Sequence, residues 1–161
     1  MANVEAKLRA LGLALPAPLI LPPGVALPFP WVRVHGDRAY VSGHAAQNAD
    51  GSLAGPLGKV GQDVTLEQAQ HAACLTALSI LASLKRELGD LDRISAWLRV
   101  FGMVNCAPGF NQTPKVINGF TDLIVELYGS TRGLHARSAV GMAELPFGIP
   151  VEIEAEVAID A

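Results

Sequence analysis

The sequence predicts an α+β fold: a mixed β-sheet with two helices packed on one of its faces, in the order β-β-α-β-α-β-β. Three observations carry this. Segments near residues 32–44, 94–104, 136–144 and 151–159 alternate apolar and polar residues with period two. Two longer segments, opening at Thr65 and Thr113, repeat apolar residues at helical spacing instead. Clusters of Gly, Asn, Asp and Pro separate the two kinds of segment and mark where the chain turns.

Taken in order, Val4 to Leu11 forms a short amphipathic helix, followed by a Pro-rich connector through Pro16, Pro18, Pro22 and Pro23. Residues 1–30 are thus expected to be an arm lying on a domain of residues 31–161. In "PFPWVRVHGDRAYVSGHA", Val32 and Val34 alternate with Arg33 and His35, and Gly36-Asp37 breaks the run, which is a hairpin signal. The following "QNADGSLAGPLGKVGQDV" has no lasting periodicity and is expected to be an irregular surface loop.

Thr65 and Gln68 stand at capping-box spacing, and Ala69, Ala73, Ala77, Ile80, Leu81, Leu84 and Leu88 follow on one helical face, with Gly89 as the stop. "RISAWLRVFGMV" is the next strand. Strict alternation puts Ile94, Ala96, Leu98 and Val100 on one face and Ser95, Trp97, Arg99 and Phe101 on the other. Thr113 is read as the side-chain cap of the second helix, with Pro114 in its first turn and Gly129 as its end; Ile117, Phe120, Leu123, Ile124 and Leu127 form its apolar face. Strands over Ala136 to Glu144 and Val151 to Ile159, joined by "LPFGIP", complete the chain. With helices on one side only, the opposite sheet face would expose Trp97, Phe101, Val140 and Met142, so burial against further copies of the chain is expected.

Composition excludes several classes. Half of the 161 residues are hydrophobic and 17% are charged, which fits one folded domain with a core of its own. A net charge of −3 with no basic run disfavours nucleic acid as a partner. Basic residues do precede the apolar stretch "LGLALPAPLI", as in a secretory signal, yet prolines interrupt it and it is too short to span a bilayer. No membrane role is expected. Cys74 and Cys106 form neither a metal-ligand spacing nor a disulfide framework, so they are read as structural thiols of a cytoplasmic protein. His35, His44, His71 and His135 place no pair at ligand spacing on one element and are read as structural, with no metal expected.

Familiar catalytic signatures are absent: no Gly-x-Ser-x-Gly elbow, no His-Glu-x-x-His and no dinucleotide fingerprint. What stands out is Arg137, the one permanent charge between Gly133 and Glu144. Ala139 and Gly141 share its strand face, so a small anion could fit beside a guanidinium that pairs bidentately with carboxylates. An ion pair between subunits, with Glu152, Glu154 or Glu156, satisfies the same charge. Those glutamates share one face of the last strand, and one of them could act as a general acid/base if an interface desolvates it. Ser42-Gly43, at a strand end, could donate a hydroxyl or backbone N–H.

The stretch "ARSAVGMAELPFGIPVEIEAEV" resembles the C-terminal signature of the RidA/YjgF family of enamine/imine deaminases, through its Arg-Ser start, Leu-Pro turn and Val-Glu-Ile-Glu-Ala ending. "YVSGH", "TLEQAQ" and the Val-Ile-Asn-Gly-Phe helix fall in family order, so the likeness covers about Trp31 to Ile159 and leaves the arm outside. The resemblance implies a chorismate-mutase-like fold, a homotrimer and ligand clefts between subunits. Carried over by position, Arg137 would hold a substrate carboxylate and Glu152 would orient or activate water. Trp31, Ser42, Gly43, Asn118 and Ala139 would line the pocket.

The implied reaction is hydrolysis of a reactive 2-imino acid to a 2-keto acid and ammonia, with no cofactor. A trimeric protein that binds or senses small carboxylates without turnover would use the same pocket. RNA cleavage, attached to relatives under an older name, is disfavoured by the acidic balance. The sequence departs from typical members at Trp31, where they carry tyrosine, and at Ala139, where they carry cysteine. The longer stretch "FGMVNCAPGFNQTPKVING" marks a divergent branch.

Overall fold

Five strands form one sheet, in which the first, second, fifth, third and fourth strands of the chain lie side by side in that order. A computed structural model describes residues 3–161, so the first two residues of the expected arm lie outside it. β1 (Val32–His35) and β2 (Arg38–His44) make the predicted hairpin, with Val32 opposite Val41 and His35 opposite Arg38. β5 (Val151–Ile159) runs antiparallel between β2 and β3 (Ile94–Asn105), and β4 (Ala136–Met142) lies parallel to β3 at the edge. A parallel pair needs a crossover. It is supplied by α3 (Thr113–Gly133), which packs beside α2 (Leu66–Leu88) on one face of the sheet.

Between helices and sheet lies the core, where Ile80, Leu81 and Leu84 of α2 and Ile117, Phe120, Ile124 and Leu127 of α3 meet Val100, Val104, Ile153 and Val157. The capping box at Thr65 forms in both directions, and Gly89 ends α2 in the left-handed region at φ 77°. Both are properties of a few adjacent residues.

The start of α3 differs from expectation. Thr113 does not cap it, because Gln112 holds the cap position and the Thr113 hydroxyl donates instead to the Ala139 carbonyl, 2.9 Å away on β4. A longer-range bond has replaced a local one. Gly129 does leave helical geometry, at φ 73° and ψ 172°, but the chain resumes a turn that reaches Gly133.

Trp97 also departs from the expected face. Register shifts between Ile94 and Ala96 and between Trp97 and Arg99 break the alternation of β3. They rotate the indole onto the helix side, where it is 2% exposed and meets Phe120 and Tyr128 edge-on at 5.7 and 5.8 Å. Phe101, Val140 and Met142 keep the open face. They share the uncovered surface with Glu152, Glu154, Glu156 and Arg99, where Phe101, Arg99, Glu154 and Glu156 line a cavity of about 430 Å³.

The arm packs closely. In α1 (Val4–Ala10), Val4 and Leu8 are buried, and the Lys7 ammonium donates to the Leu127 carbonyl at 2.8 Å. Further on, Ala17 and Ile20 donate backbone N–H groups to Ala49 and Gly51, and Gln47 donates to the Ala17 carbonyl. Cys74 and Cys106 are free, half-buried thiols that burial pushes above the ordinary cysteine pKa.

Candidate functional site

At the end of β2 the ladder with β5 slips. Val41 pairs with Ala155 and His44 with Ile153, so two residues, Ser42 and Gly43, stand against the single Glu154. This is a β-bulge, the kind of irregularity that re-aims backbone and side chains. Beside it lies Glu152, whose Oε1 would be 2.1 Å from a Cβ on residue 43; glycine alone leaves room for the carboxylate. Burial, and secondarily the charge of Glu154, raise the Glu152 pKa above the ordinary glutamate value.

Trp31 completes this group. Its carbonyl accepts the Ser42 N–H at 3.0 Å, and its ring meets Phe29 at 6.0 Å and His44 at 4.9 Å. The Ser42 hydroxyl, expected as a ligand donor, donates to the Pro30 carbonyl at 2.8 Å. The Ser42 hydroxyl proton and backbone N–H are thus both engaged, and its carbonyl lies 2.6 Å from His44 Nδ1.

Arg137 belongs to a second group. On β4 it stands opposite Val100, which in turn pairs with Ala155, so its side chain shares the helix face and not the face of the three glutamates. The guanidinium donates to Asn118 Oδ1 at 2.9 Å, Thr121 Oγ1 at 3.1 Å and the Pro114 carbonyl at 3.3 Å. All three acceptors are neutral. Among the described residues no carboxylate pairs with Arg137.

Ala139 lies two residues further along, its carbonyl engaged by Thr113. The space expected beside Gly141 is partly filled, since a Cβ there would stand 3.0 Å from Cys106 Sγ. Thr121 was not legible as a site residue. It accepts from Arg137 and lies 3.0 Å from His135 Nε2, a ring whose pKa burial pushes down. Its position three residues after Asn118 is the one signal, because that spacing puts both on one helix face.

One chain therefore brings Trp31, Ser42, Gly43 and Glu152 together, and separately Arg137, Asn118 and Ala139. β3 separates β5 from β4, and Arg137 and Glu152 point to opposite faces of the sheet. No single chain can hold one small molecule between them. Among the described residues no three His, Cys, Asp or Glu side chains group as metal ligands, and no helix is long and apolar enough to cross a membrane.

Residues 5–149 match the model of the family described as "YjgF/chorismate_mutase-like, putative endoribonuclease". The chain belongs to this family. The YjgF match begins within α1, so most of the arm, which the motifs leave outside, falls inside the family's span. Protein TCP17 of Trypanosoma cruzi is 36% identical over 158 residues, covering 98% of this chain and 95% of that protein.

Among solved YjgF-like structures, Atu1372 from Agrobacterium tumefaciens, a protein of unknown function, is similar with a TM-score of 0.87 and 39% identity, over 99% of this chain and 93% of that one. The E. coli protein TdcF, crystallised with bound serine, shares the fold, with a TM-score of 0.58 and 17% identity over 92% of this chain and 96% of that one. The YjgF-type α+β layer expected from the motifs is thus the one observed.

Proposed function

We propose that this protein is a hydrolytic deaminase of reactive 2-imino and enamine acids, working in clefts between the subunits of a cytoplasmic homotrimer. The division of the site carries this reading. Arg137 presents a guanidinium to neutral acceptors at one sheet edge, while Glu152 lies against the Gly43 bulge on the other face. Apposing these two surfaces of neighbouring copies would put a carboxylate anchor across from a base, and would also cover Phe101 and Val140.

In such a cleft Arg137 binds the substrate carboxylate bidentately and fixes the imine carbon. Glu152, its pKa raised toward that of a useful base, takes a proton from water as the oxygen adds to that carbon. That proton passes to nitrogen to give the carbinolamine; the hydroxyl proton then follows to nitrogen as the C=O bond forms and the C–N bond breaks, releasing 2-keto acid and ammonia. Water supplies the oxygen, so no oxidant or reductant is needed.

The test couples an amino-acid dehydratase, as the enamine source, to keto-acid detection, with light scattering to measure the assembly. The protein should speed keto-acid release as a trimer, and Arg137→Ala should lose the effect while remaining trimeric. Equal rates for the two proteins would overturn the reading.

A non-catalytic carboxylate-binding role is supported by TdcF, a fold relative crystallised with bound serine. Saturable keto-acid binding by calorimetry, without faster imine hydrolysis, would favour it.

A further inference from the structure

Of the four histidines, His44 alone is buried, at 4% exposure, and neither the proposed chemistry nor the core requires an imidazole there. Its Nδ1 lies 2.6 Å from the Ser42 carbonyl and its Nε2 2.8 Å from the Ser83 hydroxyl on α2. A neutral ring satisfies both, with Nδ1–H donating to Ser42 and Nε2 accepting from Ser83. Burial holds the ring neutral, its pKa pushed down to about 4. The Ser83 oxygen also accepts from Arg86 at 3.0 Å, and Arg86 reaches the Pro16 carbonyl of the arm at 3.5 Å. One ring thus links arm, helix and bulge.

The atom it holds is significant because a trans peptide is planar, with its C=O and N–H directed to opposite sides. The Ser42 carbonyl and the Gly43 N–H belong to the same peptide. Fixing the carbonyl toward α2 therefore fixes the Gly43 N–H away from α2, in the bulge where the ladder with β5 is interrupted and where Glu152 lies. The ring also packs against Trp31, tilted at 53° with centroids 4.9 Å apart, so the same residue supports the aromatic side chain.

We propose that His44 is a positioning residue: by clamping the Ser42 carbonyl and supporting Trp31, it aims the Gly43 N–H into the ligand cleft as a preorganised donor. Its kinetic consequence rests on the deaminase reading; its effect on the bulge does not.

The test compares full-length wild-type protein with His44→Ala, His44→Gln and Ser83→Ala, first without ligand. In ¹H–¹⁵N NMR spectra of His44→Ala, the Gly43 amide and the Trp31 indole signals should move and the Gly43 amide should exchange faster, while the buried Trp97 indole stays in place. His44→Gln, which can still donate to Ser42, should return the Gly43 signal toward wild type. In the coupled assay His44→Ala should lower kcat/KM about tenfold, mainly through KM, as expected for one hydrogen bond.

Unchanged Gly43 and Trp31 signals in folded His44→Ala would overturn the proposal. If His44→Ala does not fold, Ser83→Ala, which frees the far end of the ring, should move the same signals less, and no movement there would overturn it equally. Moved signals together with no deaminase activity in the wild type would remove the function reading and leave the positioning role standing.

Discussion

Gly119 of α3 lies tight against Gln70 of α2: a Cβ on Gly119 would stand 2.1 Å from the Gln70 carbonyl oxygen. Gln70 adds a side-chain bond to the Lys115 carbonyl at 2.9 Å. Since Asn118 precedes Gly119, the helix crossing also places the Arg137 partner. Gly119→Ala should push α3 outward and cost about 1–3 kcal/mol, the usual range for overpacking. Denaturant unfolding measures it, and an unchanged midpoint would show that the helices separate freely.

Gly43→Ala should act on the site rather than on the fold. Its methyl group would occupy the position of the Glu152 carboxylate, whose side chain can swing away at small cost in stability. Deaminase activity should fall at least about tenfold, with a melting temperature within a few degrees of wild type. Retained activity would exclude the observed Glu152 position from the chemistry.

Glu152→Gln should reveal the sign of the raised pKa. Below the unfolded-state value both folded and unfolded chains hold the proton and the group contributes no difference. As pH rises toward the higher folded value, the unfolded chain releases its proton first, so the ionised glutamate lowers stability. The glutamine variant should therefore be more stable than wild type at neutral pH, and the advantage should vanish in acid. Equal stability at both ends of a pH series of unfolding curves would contradict the shift.

Trp97→Phe should be nearly neutral. The indole Nε1 is buried without a hydrogen-bond partner among the described residues. Leaving such a donor unsatisfied costs about 1–3 kcal/mol, which removing it recovers against the loss of packed volume. The edge contacts with Phe120 and Tyr128 can persist with a smaller ring. A loss beyond about 2 kcal/mol would show that volume outweighs the donor.

Features set by neighbouring residues were legible in the sequence. Thr65 and Gln68 cap α2 through bonds spanning three residues, Gly89 ends it, and Glu152, Glu154 and Glu156 alternate on one face as period two requires. Features set by distant partners were not. Trp97 crosses to the helix side because β3 slips against β5, and no local pattern encodes a slip. Thr113 has the chemistry of a cap but finds Ala139 on β4. The site followed the same rule: its residue types could be named, whereas the Ser42–Gly43 bulge and the opposite facing of Arg137 and Glu152 arise from strand pairing.

That opposite facing predicts complementation between inactive chains. A subunit lacking Arg137 can still lend Glu152 to a neighbour, and one lacking Glu152 can still lend Arg137. In the proposed homotrimer, co-refolding Arg137→Ala with Glu152→Gln in equal amounts should restore about a quarter of the clefts, because each proposed cleft would draw its two residues independently from neighbouring chains around a closed ring. Two silent alleles expressed in one cell would then give a working enzyme.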